Sequence, residues 1–130
     1  MNYLLDTHVF LWMLSAPGRL SSKAQAVIRN PDRAVYVSAV TAVEIAIKTV
    51  IGKLEAPESL WSEIPARGLR ELPLRYVHGE RMRSLPLHHS DPFDRMLIAQ
   101  AEEENLTIIT HDKNSLPIRP RSCGLELLVC

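Results

Sequence analysis

The chain has 130 residues, of which 46% are hydrophobic and 23% are charged, and its fifteen basic residues balance its fifteen acidic residues. These values are typical of one soluble globular domain that can bury a core without disulfides or a structural metal, so residues 1–130 are expected to form a single domain. A net charge of zero argues against a protein that holds nucleic acid tightly through many phosphate contacts, because such proteins are usually basic. Any nucleic-acid chemistry would then depend on a local patch or on a metal.

Cysteine usage and the N-terminus bear on location. Cys123 and Cys130 are the two cysteines, and they lack metal-ligand spacing, which favours a reducing cytoplasm. The apolar N-terminal run is interrupted by Asp6 and has no basic segment before it, which argues against a signal peptide. No run reaches the roughly 20 apolar residues that a membrane span needs. We therefore expect a cytoplasmic chain with no membrane partner.

The first half of the chain predicts strands that alternate with helices. In chain order the elements are a strand at 2–5, a helix from Asp6 to about Leu14, a helix at 23–29 capped by Ser21 or Ser22, a strand at 34–37 that closes at Ser38, and a helix at 39–51. The last helix has apolar residues at helical spacing, at Val40, Val43, Ile47, Val50 and Ile51. We expect this stripe to face the core, with Glu44 close to it and Gly52 ending the helix.

The second half continues the alternation. Its elements are a helix opened by Pro57 and running to about Arg67, an extended segment at 71–74, a short helix at 77–85, a helix at 92–104 stopped by a left-handed Asn105, and strands at 106–110 and 125–129. Strands separated by helices predict an α/β fold. We expect a three-layer sandwich in which helices flank a mostly parallel central sheet of four to five strands.

The helix start at Asp91-Pro92-Phe93-Asp94 contains two carboxylates in one turn. Asp91 suits the N-cap position, and Pro92 suits the first helical position because its missing N–H costs nothing there. Asp94 lies three residues after the cap, where a negative charge is favoured by the helix dipole. This segment alone therefore leaves open whether its acids are structural or functional.

Acids elsewhere in the chain favour a shared site. Asp6 and Asp112 directly follow the two most apolar strands, whose C-terminal ends form the ligand crevice of an open α/β sheet. Asp94 lies at the start of its helix, which can direct it to the same edge. Glu44 can be directed there too, because its helix begins just after the strand that ends at Ser38. Four such charges repel, at roughly 4 kcal/mol for a pair about 4 Å apart at an effective dielectric of 20, so they need a cation. Oxygen ligands favour Mg²⁺ or Mn²⁺ over zinc, and such an ion suits phosphoryl chemistry.

Each acid also has an alternative explanation. Asp6 could cap the first helix, Asp112 could be a turn residue, and Glu44 could form an exposed pair with Lys48 four residues later. Two rival functions follow from these alternatives. One is a receiver-like module or phosphohydrolase in which a carboxylate accepts a phosphoryl group, which leaves Glu44 unexplained. The other is a non-catalytic binding module whose acids are structural.

Several strings, taken in this order, resemble the PIN-domain ribonucleases and, more narrowly, the VapC-type toxins of bacterial toxin–antitoxin pairs. They are LLDTHVFLW, YVSAVTAVEIAIK, GKLEAP, LPLHHSDPFDRMLIAQA and LTIITHD. The resemblance covers nearly the whole chain, and DPFDRMLIAQA with the downstream THD is its most specific part. It implies a PIN domain over residues 1–130, with a parallel sheet flanked by helices and an acidic quartet that binds one or two Mg²⁺ or Mn²⁺ ions. The family often has Trp before the helical Glu, where this chain has Val43, which is a packing change.

The resemblance also implies site residues, an activity and partners. Its quartet falls on Asp6, Glu44, Asp94 and Asp112, in which the three Asp would hold metal and Glu44 would ligate metal or position the water. Supporting roles fall on Thr7 and Thr110, which would orient their neighbours or a metal-bound water. Asp91 would cap the helix or support the metal ligands, in preference to binding metal directly. The implied activity is metal-dependent hydrolysis of single-stranded or loop RNA. The implied partners are a cognate antitoxin and a second copy of the chain, in a toxin–antitoxin hetero-oligomer.

Other residues remain candidates with ordinary alternatives. Arg95, His88 and His89 are candidate substrate contacts, although a solvated arginine and a polar loop explain them as well. A set of arginines is a candidate RNA or partner surface, against ordinary solvated faces, at Arg67, Arg70, Arg75, Arg81 and Arg83. Trp12 and Trp61 are expected in the core unless they border a groove for the antitoxin, in which case they would be partly exposed.

Overall fold

The computed structural model describes residues 2–86, 91–111 and 127–129, the last three through their backbone alone. Five strands form one sheet: β1 Tyr3–Leu5, β2 Val35–Ser38, β3 Arg70–Leu72, β4 Thr107–Thr110 and β5 Leu127–Val129. The strand order is β3-β2-β1-β4-β5, and every neighbouring pair is parallel. The predicted parallel α/β sheet is confirmed.

Helices lie between the successive strands from β1 to β4. They are α1 Thr7–Ser15, α2 Ser22–Arg29, α3 Ala39–Val50, α4 Glu63–Ala66, α5 Tyr76–Met82 and α6 Pro92–Glu104, with 3₁₀ turns at Pro17–Arg19 and Leu60–Ser62. Asn105 ends α6 with a φ of 56°, which confirms the predicted left-handed stop. Among the described helices, none combines the length and apolar character needed to cross a bilayer.

Both faces of the central strands are covered, which explains why every residue of β1 and β4 is buried. Side chains alternate between two cores along β1, where Leu5 packs with residues of α1 and α2 while Leu4 packs with residues of α6. The same alternation places Ile109 in the first core and Ile108 in the second. The chain is therefore the three-layer sandwich that the sequence predicts.

The sheet order reverses direction at β1. The chain adds β2 and β3 on one side of β1 and β4 and β5 on the other, so the boundary between β1 and β4 is the topological switch point. The backbone N–H of Asp6 extends this pairing and donates to the carbonyl of Ile109 at 3.0 Å. The end of β1 and the end of β4 therefore open into the same crevice.

The predicted helix from Pro57 to Arg67 is wrong in its extent. A 3₁₀ turn at Leu60–Ser62 places Leu60 in the core, and α4 occupies only Glu63–Ala66. Pro65 explains the difference. In a helix that already included residue 61, the N–H of residue 65 would donate to the carbonyl of residue 61, and proline has no N–H. Near the start of a helix no such hydrogen bond is made, so proline is tolerated there. Trp61 lies in the turn, 39% exposed and stacked on Phe10 with ring centroids 6.1 Å apart, instead of being buried in the core.

The predicted buried stripe of α3 is also wrong. Val40 is buried, but the other members of the stripe are exposed: Val43 at 52%, Ile47 at 46%, Val50 at 86% and Ile51 at 57%. The helix instead buries Thr41, Glu44 and Ile45. Burial of the two polar residues is tolerated because both find hydrogen-bond partners across the helix interface, as described below. The apolar side of α3 faces away from the core.

Candidate active site

Asp6 lies at the switch point, directly after β1. Its Oδ1 accepts a hydrogen bond from the backbone N–H of Val9 at 2.8 Å, so it is the N-cap of α1. Its Oδ2 accepts from Thr110 Oγ1 at 2.5 Å, across the boundary between β1 and β4. The carboxylate is 8% exposed. The structural role of Asp6 is therefore real, and the same contacts hold its carboxylate at the mouth of the crevice.

Glu44 is buried on α3 and receives hydrogen bonds at both carboxylate oxygens. Thr7 Oγ1 donates to Oε1 at 2.6 Å, and Lys48 Nζ lies 2.5 Å from Oε2. Thr7 has a single hydroxyl proton, which it uses in the hydrogen bond to Glu44. Thr41 is therefore the donor in the 3.3 Å contact between the two threonine hydroxyls. The pair of Glu44 and Lys48 exists as the spacing suggests, but it is not an exposed surface pair.

The helix start at Asp91 has the predicted geometry. Asp91 Oδ1 accepts from the backbone N–H groups of Phe93 at 2.9 Å and Asp94 at 3.4 Å, and Pro92 is the first residue of α6. The predicted N-cap role of Asp91 is confirmed. Asp94 lies in the first turn, partly buried, where the cap fixes the direction of the helix that carries it.

These acids share one cavity of about 180 Å³. It is lined by Asp6, Thr7, His8, Glu44, Lys48, Asp91, Asp94 and His111. The acids come from the end of β1, from α3 and from the start of α6, so three separate parts of the chain converge. Asp112, the fourth member of the predicted quartet, lies outside the described residues, as do His88 and His89.

The electrostatics of the cavity are those of crowded carboxylates. Burial, together with the charges of Asp91, Glu44 and Asp6, raises the pKa of Asp94 to about 7. Lys48 partly compensates. Burial acts to lower the pKa of Lys48, but its hydrogen bond to Glu44 and the charges of Glu44, Asp91 and Asp94 outweigh burial and raise it. The cavity thus holds more negative charge than Lys48 neutralises.

The donor set fits a hard divalent cation. The acids offer carboxylate oxygens, which Mg²⁺ and Mn²⁺ prefer, and the charge that raises the pKa of Asp94 is charge that a cation would relieve. Within residues 2–86 and 91–111, no three His, Cys, Asp or Glu side chains are grouped closely enough to hold an ion together. Asp6 and Glu44 are instead fixed by hydrogen bonds from Thr110, Thr7 and Lys48.

Three further residues of the cavity were not predicted as site residues. Lys48 carried a signal, because it lies one helical turn from Glu44, but it was considered only as the partner in an alternative, exposed surface pair. His8 and His111 are sequence neighbours of acids without metal-ligand spacing. The structure places His111 Nδ1 3.5 Å from Asp6 Oδ2. Partial burial and the nearby His111 lower the pKa of His8, against the opposite effect of Asp6 and Glu44.

Arg95, a predicted substrate contact, donates hydrogen bonds to backbone carbonyls in the structure. Its guanidinium donates to the carbonyls of Met82 at 3.1 Å and Pro86 at 2.8 Å, at the end of α5. It is not among the residues that line the acid cavity. The contacts of Arg95 tie α5 to the start of α6, and a substrate is not needed to explain them.

Several of the arginines that were a candidate surface are paired with acids. Arg67 lies 3.0 Å from Glu63, Arg83 lies 3.0 Å from Glu80, and Arg81 lies 3.0 Å from Glu103. Exposed pairs of this kind contribute little to stability, typically about 0–1 kcal/mol. The pairs of Arg67 and Arg83 are exposed, which favours ordinary solvated faces at these two positions, whereas the pair of Arg81 and Glu103 is partly buried.

Comparisons with known proteins identify the fold and the family of the chain. No curated protein sequence matches the chain. Among solved structures, VapBC2 from Rickettsia felis, bound to a DNA fragment from its promoter, matches with a TM-score of 0.64 and 17% identity, covering 98% of this chain and 97% of that one. VapBC-1 from nontypeable Haemophilus influenzae matches with a TM-score of 0.64 and 18% identity, covering 99% and 98%. VapBC-5 from Mycobacterium tuberculosis matches with a TM-score of 0.62 and 19% identity, covering 99% and 98%.

At these identities the structural matches establish a shared fold. The family is established by sequence, because the PIN domain model matches residues 3–117, which is most of the chain. The parallel sheet, the acids at its switch point and this match lead to one conclusion. The chain belongs to the PIN-domain family.

Proposed function

We propose that the chain is a divalent-metal-dependent endoribonuclease that hydrolyses RNA phosphodiester bonds and acts as the toxin of a toxin–antitoxin pair. The observation that carries this proposal is the convergence of Asp6, Glu44 and Asp94 on one cavity at the switch point of a PIN-family sheet. Neither helix capping nor surface pairing explains why the acids of three separate elements are brought together there.

The metal would be held by carboxylates. Asp6, Glu44 and Asp94 supply oxygens from the described residues, and Asp112 is the fourth proposed ligand. One or two Mg²⁺ or Mn²⁺ ions held there would lower the pKa of an attacking water and neutralise charge on the leaving oxygen. The charge of Asp94 is costly without a cation, because its pKa is raised to about 7.

The neighbouring side chains would keep the acids in position. Thr110 holds one oxygen of Asp6, and Thr7 holds one oxygen of Glu44, through buried hydrogen bonds of 2.5 Å and 2.6 Å. These hydrogen bonds hold the two carboxylates at the cavity, and the described acids would have to move closer together to hold one ion. Lys48 pairs with Glu44 and presents a positive charge to the same cavity, where an RNA phosphate would lie.

The size of the cavity favours a flexible RNA strand as substrate. A cavity of about 180 Å³ can admit a backbone segment whose bases are splayed out, but not a duplex. The net charge of zero agrees with modest RNA affinity, because few phosphates can be neutralised. We place this activity in the cytoplasm.

Two partner surfaces accompany this proposal. The cognate antitoxin would occupy a groove of about 440 Å³ between α1 and α2, lined by Met13, Leu14, Pro17, Leu20, Ile28 and Arg29 among others. The structurally similar VapBC proteins suggest such a partner. A second copy of the chain would cover the apolar side of α3, defined by Val43, Ile47, Val50 and Ile51, because exposed apolar helix faces of this kind mark interaction sites.

The experiment is cleavage of a single-stranded RNA by purified protein that carries no antitoxin. We expect cleavage with Mg²⁺ or Mn²⁺ and none with EDTA. Because water is the proposed attacking group, an RNA with a 2′-deoxy residue at the cleaved position should still be cut. The absence of cleavage with both metals would overturn the proposal, and cleavage that persists in EDTA or needs the 2′-hydroxyl would replace it with another mechanism.

A further inference from the structure

A second cleft of about 480 Å³ lies beside the acid cavity. It is lined by His8, Leu11, Trp12 and Arg19 from one side and by Leu54, Glu55 and Pro57 from the segment after α3. His8 lines both this cleft and the acid cavity, so the two adjoin at this side chain. We call this region the aromatic cleft.

Its rings form one cluster. The ring centroids of His8 and His111 are 4.8 Å apart, and those of Trp12 and His111 are 4.9 Å apart. His8 and Trp12 meet edge to face at 6.3 Å. The guanidinium carbon of Arg19 lies 4.1 Å from the centroid of the Trp12 ring. Aromatic rings and a planar cation are therefore packed together directly beside the acids.

Exposure distinguishes this cluster from an ordinary core. His8 and Arg19 are exposed, and Trp12 is only partly buried, although the residues on the opposite side of α1 are fully buried. Trp12, partly exposed and with the Arg19 guanidinium carbon over its ring, offers a rigid aromatic contact at little entropic cost. This chemistry suits a flat, partly polar ligand.

We propose that the aromatic cleft holds an unpaired base of the RNA substrate, next to the phosphodiester that lies in the acid cavity. This inference rests on the proposed nuclease function. Base stacking on aromatic rings and on arginine planes is the common way in which proteins hold single strands without reading their sequence. His8, at the junction of the two cavities, is where the base and its phosphate would separate.

The charge of the chain supports a base in preference to phosphates as the main source of affinity. The net charge is zero, and Glu55 lines the aromatic cleft, so several phosphates would be poorly accommodated there. A carboxylate can instead accept a hydrogen bond from the amino group of a base. Affinity that comes from stacking should depend weakly on salt, because few counterions are released.

Trp12 itself can report binding. The chain has two tryptophans, so Trp61→Phe leaves Trp12 as the only one, and phenylalanine preserves the stacking of residue 61 on Phe10. The titration uses this variant with Asp94→Asn added and EDTA present, which prevents cleavage. A short single-stranded oligoribonucleotide should quench Trp12 fluorescence to saturation. A ribose-phosphate oligomer of equal length without bases should not.

Variants then test the contribution of each group to affinity, measured by fluorescence anisotropy of a labelled oligoribonucleotide. Trp12→Leu should weaken binding about 5- to 150-fold, the range for loss of one stacked base. Arg19→Ala should weaken it about three- to fivefold, and because Arg19 is exposed this change should not impair folding. Trp61→Phe is the matched control and should bind like the unaltered chain.

The outcomes separate this inference from the nuclease proposal. If RNA is cut but Trp12 is not quenched, or if Trp12→Leu and Arg19→Ala bind normally, the aromatic cleft is not a base site while the nuclease stands. If quenching requires bases but no metal supports cleavage, the base site stands and the nuclease falls. Quenching of Trp12 by a co-purified partner protein and not by RNA would assign the cleft to protein docking and overturn the inference.

Discussion

Asp94 is partly buried, and its surroundings disfavour its negative charge. Its pKa is raised to about 7 by burial and by Asp91, Glu44 and Asp6, so below that pH it holds a proton that a cation would have to displace. Affinity for Mg²⁺ should therefore fall as the pH drops through 7.

The same shift predicts how stability depends on pH. Because the folded pKa lies above the ordinary value of 3.8, the folded state binds more protons than the unfolded state between these two pKa values. In EDTA, Asp94 should therefore lower the free energy of unfolding as the pH rises across this window, and Asp94→Asn should remove that contribution. Thermal unfolding checks both effects, and a Mg²⁺-induced rise in Tm that is equal at about pH 5.5 and about pH 8 would contradict them.

Lys48 is expected to stabilise the site without metal. Lys48→Met leaves the buried Glu44 carboxylate without its nearest cation, which should lower stability in EDTA by about 1–3 kcal/mol. Because a positive charge is lost beside the acids, Mg²⁺ should raise the Tm of this variant more than that of the unaltered chain. Lys23→Met, at an exposed position on α2, is the control and should change neither value. Equal Mg²⁺ responses in all three proteins would show that Lys48 does not face the metal site.

At the scale of elements, the cap at the start of α6 fixes the direction of the helix that carries Asp94. Asp91→Ala removes the cap that receives the N–H groups of Phe93 and Asp94, and should cost about 1 kcal/mol of stability. Asp91→Asn keeps an accepting oxygen at the same place and should retain most of that stability. Chemical denaturation of both variants measures the difference. A larger loss of stability in Asp91→Asn than in Asp91→Ala would rule out capping as the main role of Asp91.

Local sequence signals were sufficient for the elements whose ends are set by neighbouring residues. The caps at Ser21 and Asp91 and the stop at Asn105 lie where side-chain chemistry predicts them, because capping depends on atoms within one helical turn. The parallel sheet was equally predictable, since continuously apolar strands that alternate with helices have few alternative arrangements.

Elements that depend on distant partners were not predictable in the same way. The periodicity of α3 indicates an apolar stripe correctly, but it cannot say that Thr7 and Lys48 would satisfy Glu44 and so allow the polar side of the helix to be buried. His8 and His111 join the candidate site only through the pairing of β1 with β4, which no local pattern contains. The position of Asp6 at the mouth of the crevice was predictable because Asp6 directly follows an apolar strand.

At the scale of the whole molecule, the exposed apolar side of α3 predicts self-association. Val50 is 86% exposed, so Val50→Glu should leave the folded monomer intact while placing a charge in the proposed contact between copies. Light scattering after gel filtration should show a dimer for the unaltered chain and a monomer for Val50→Glu. Ala66→Glu, at an exposed position on α4, is the matched control and should remain dimeric. A monomeric unaltered chain would exclude this contact.

The most direct test compares two acids of the same helix turn. Asp91 and Asp94 line the same cavity three residues apart, but only Asp94 is proposed to hold the metal. Mg²⁺-dependent cleavage of single-stranded RNA should fall by about 10²-fold or more in Asp94→Asn, as for loss of a main electrostatic group at an active site, while Asp91→Asn should retain most of the activity. Equal cleavage by Asp94→Asn and the unaltered chain would contradict the proposal that these acids form a metal-dependent nuclease site.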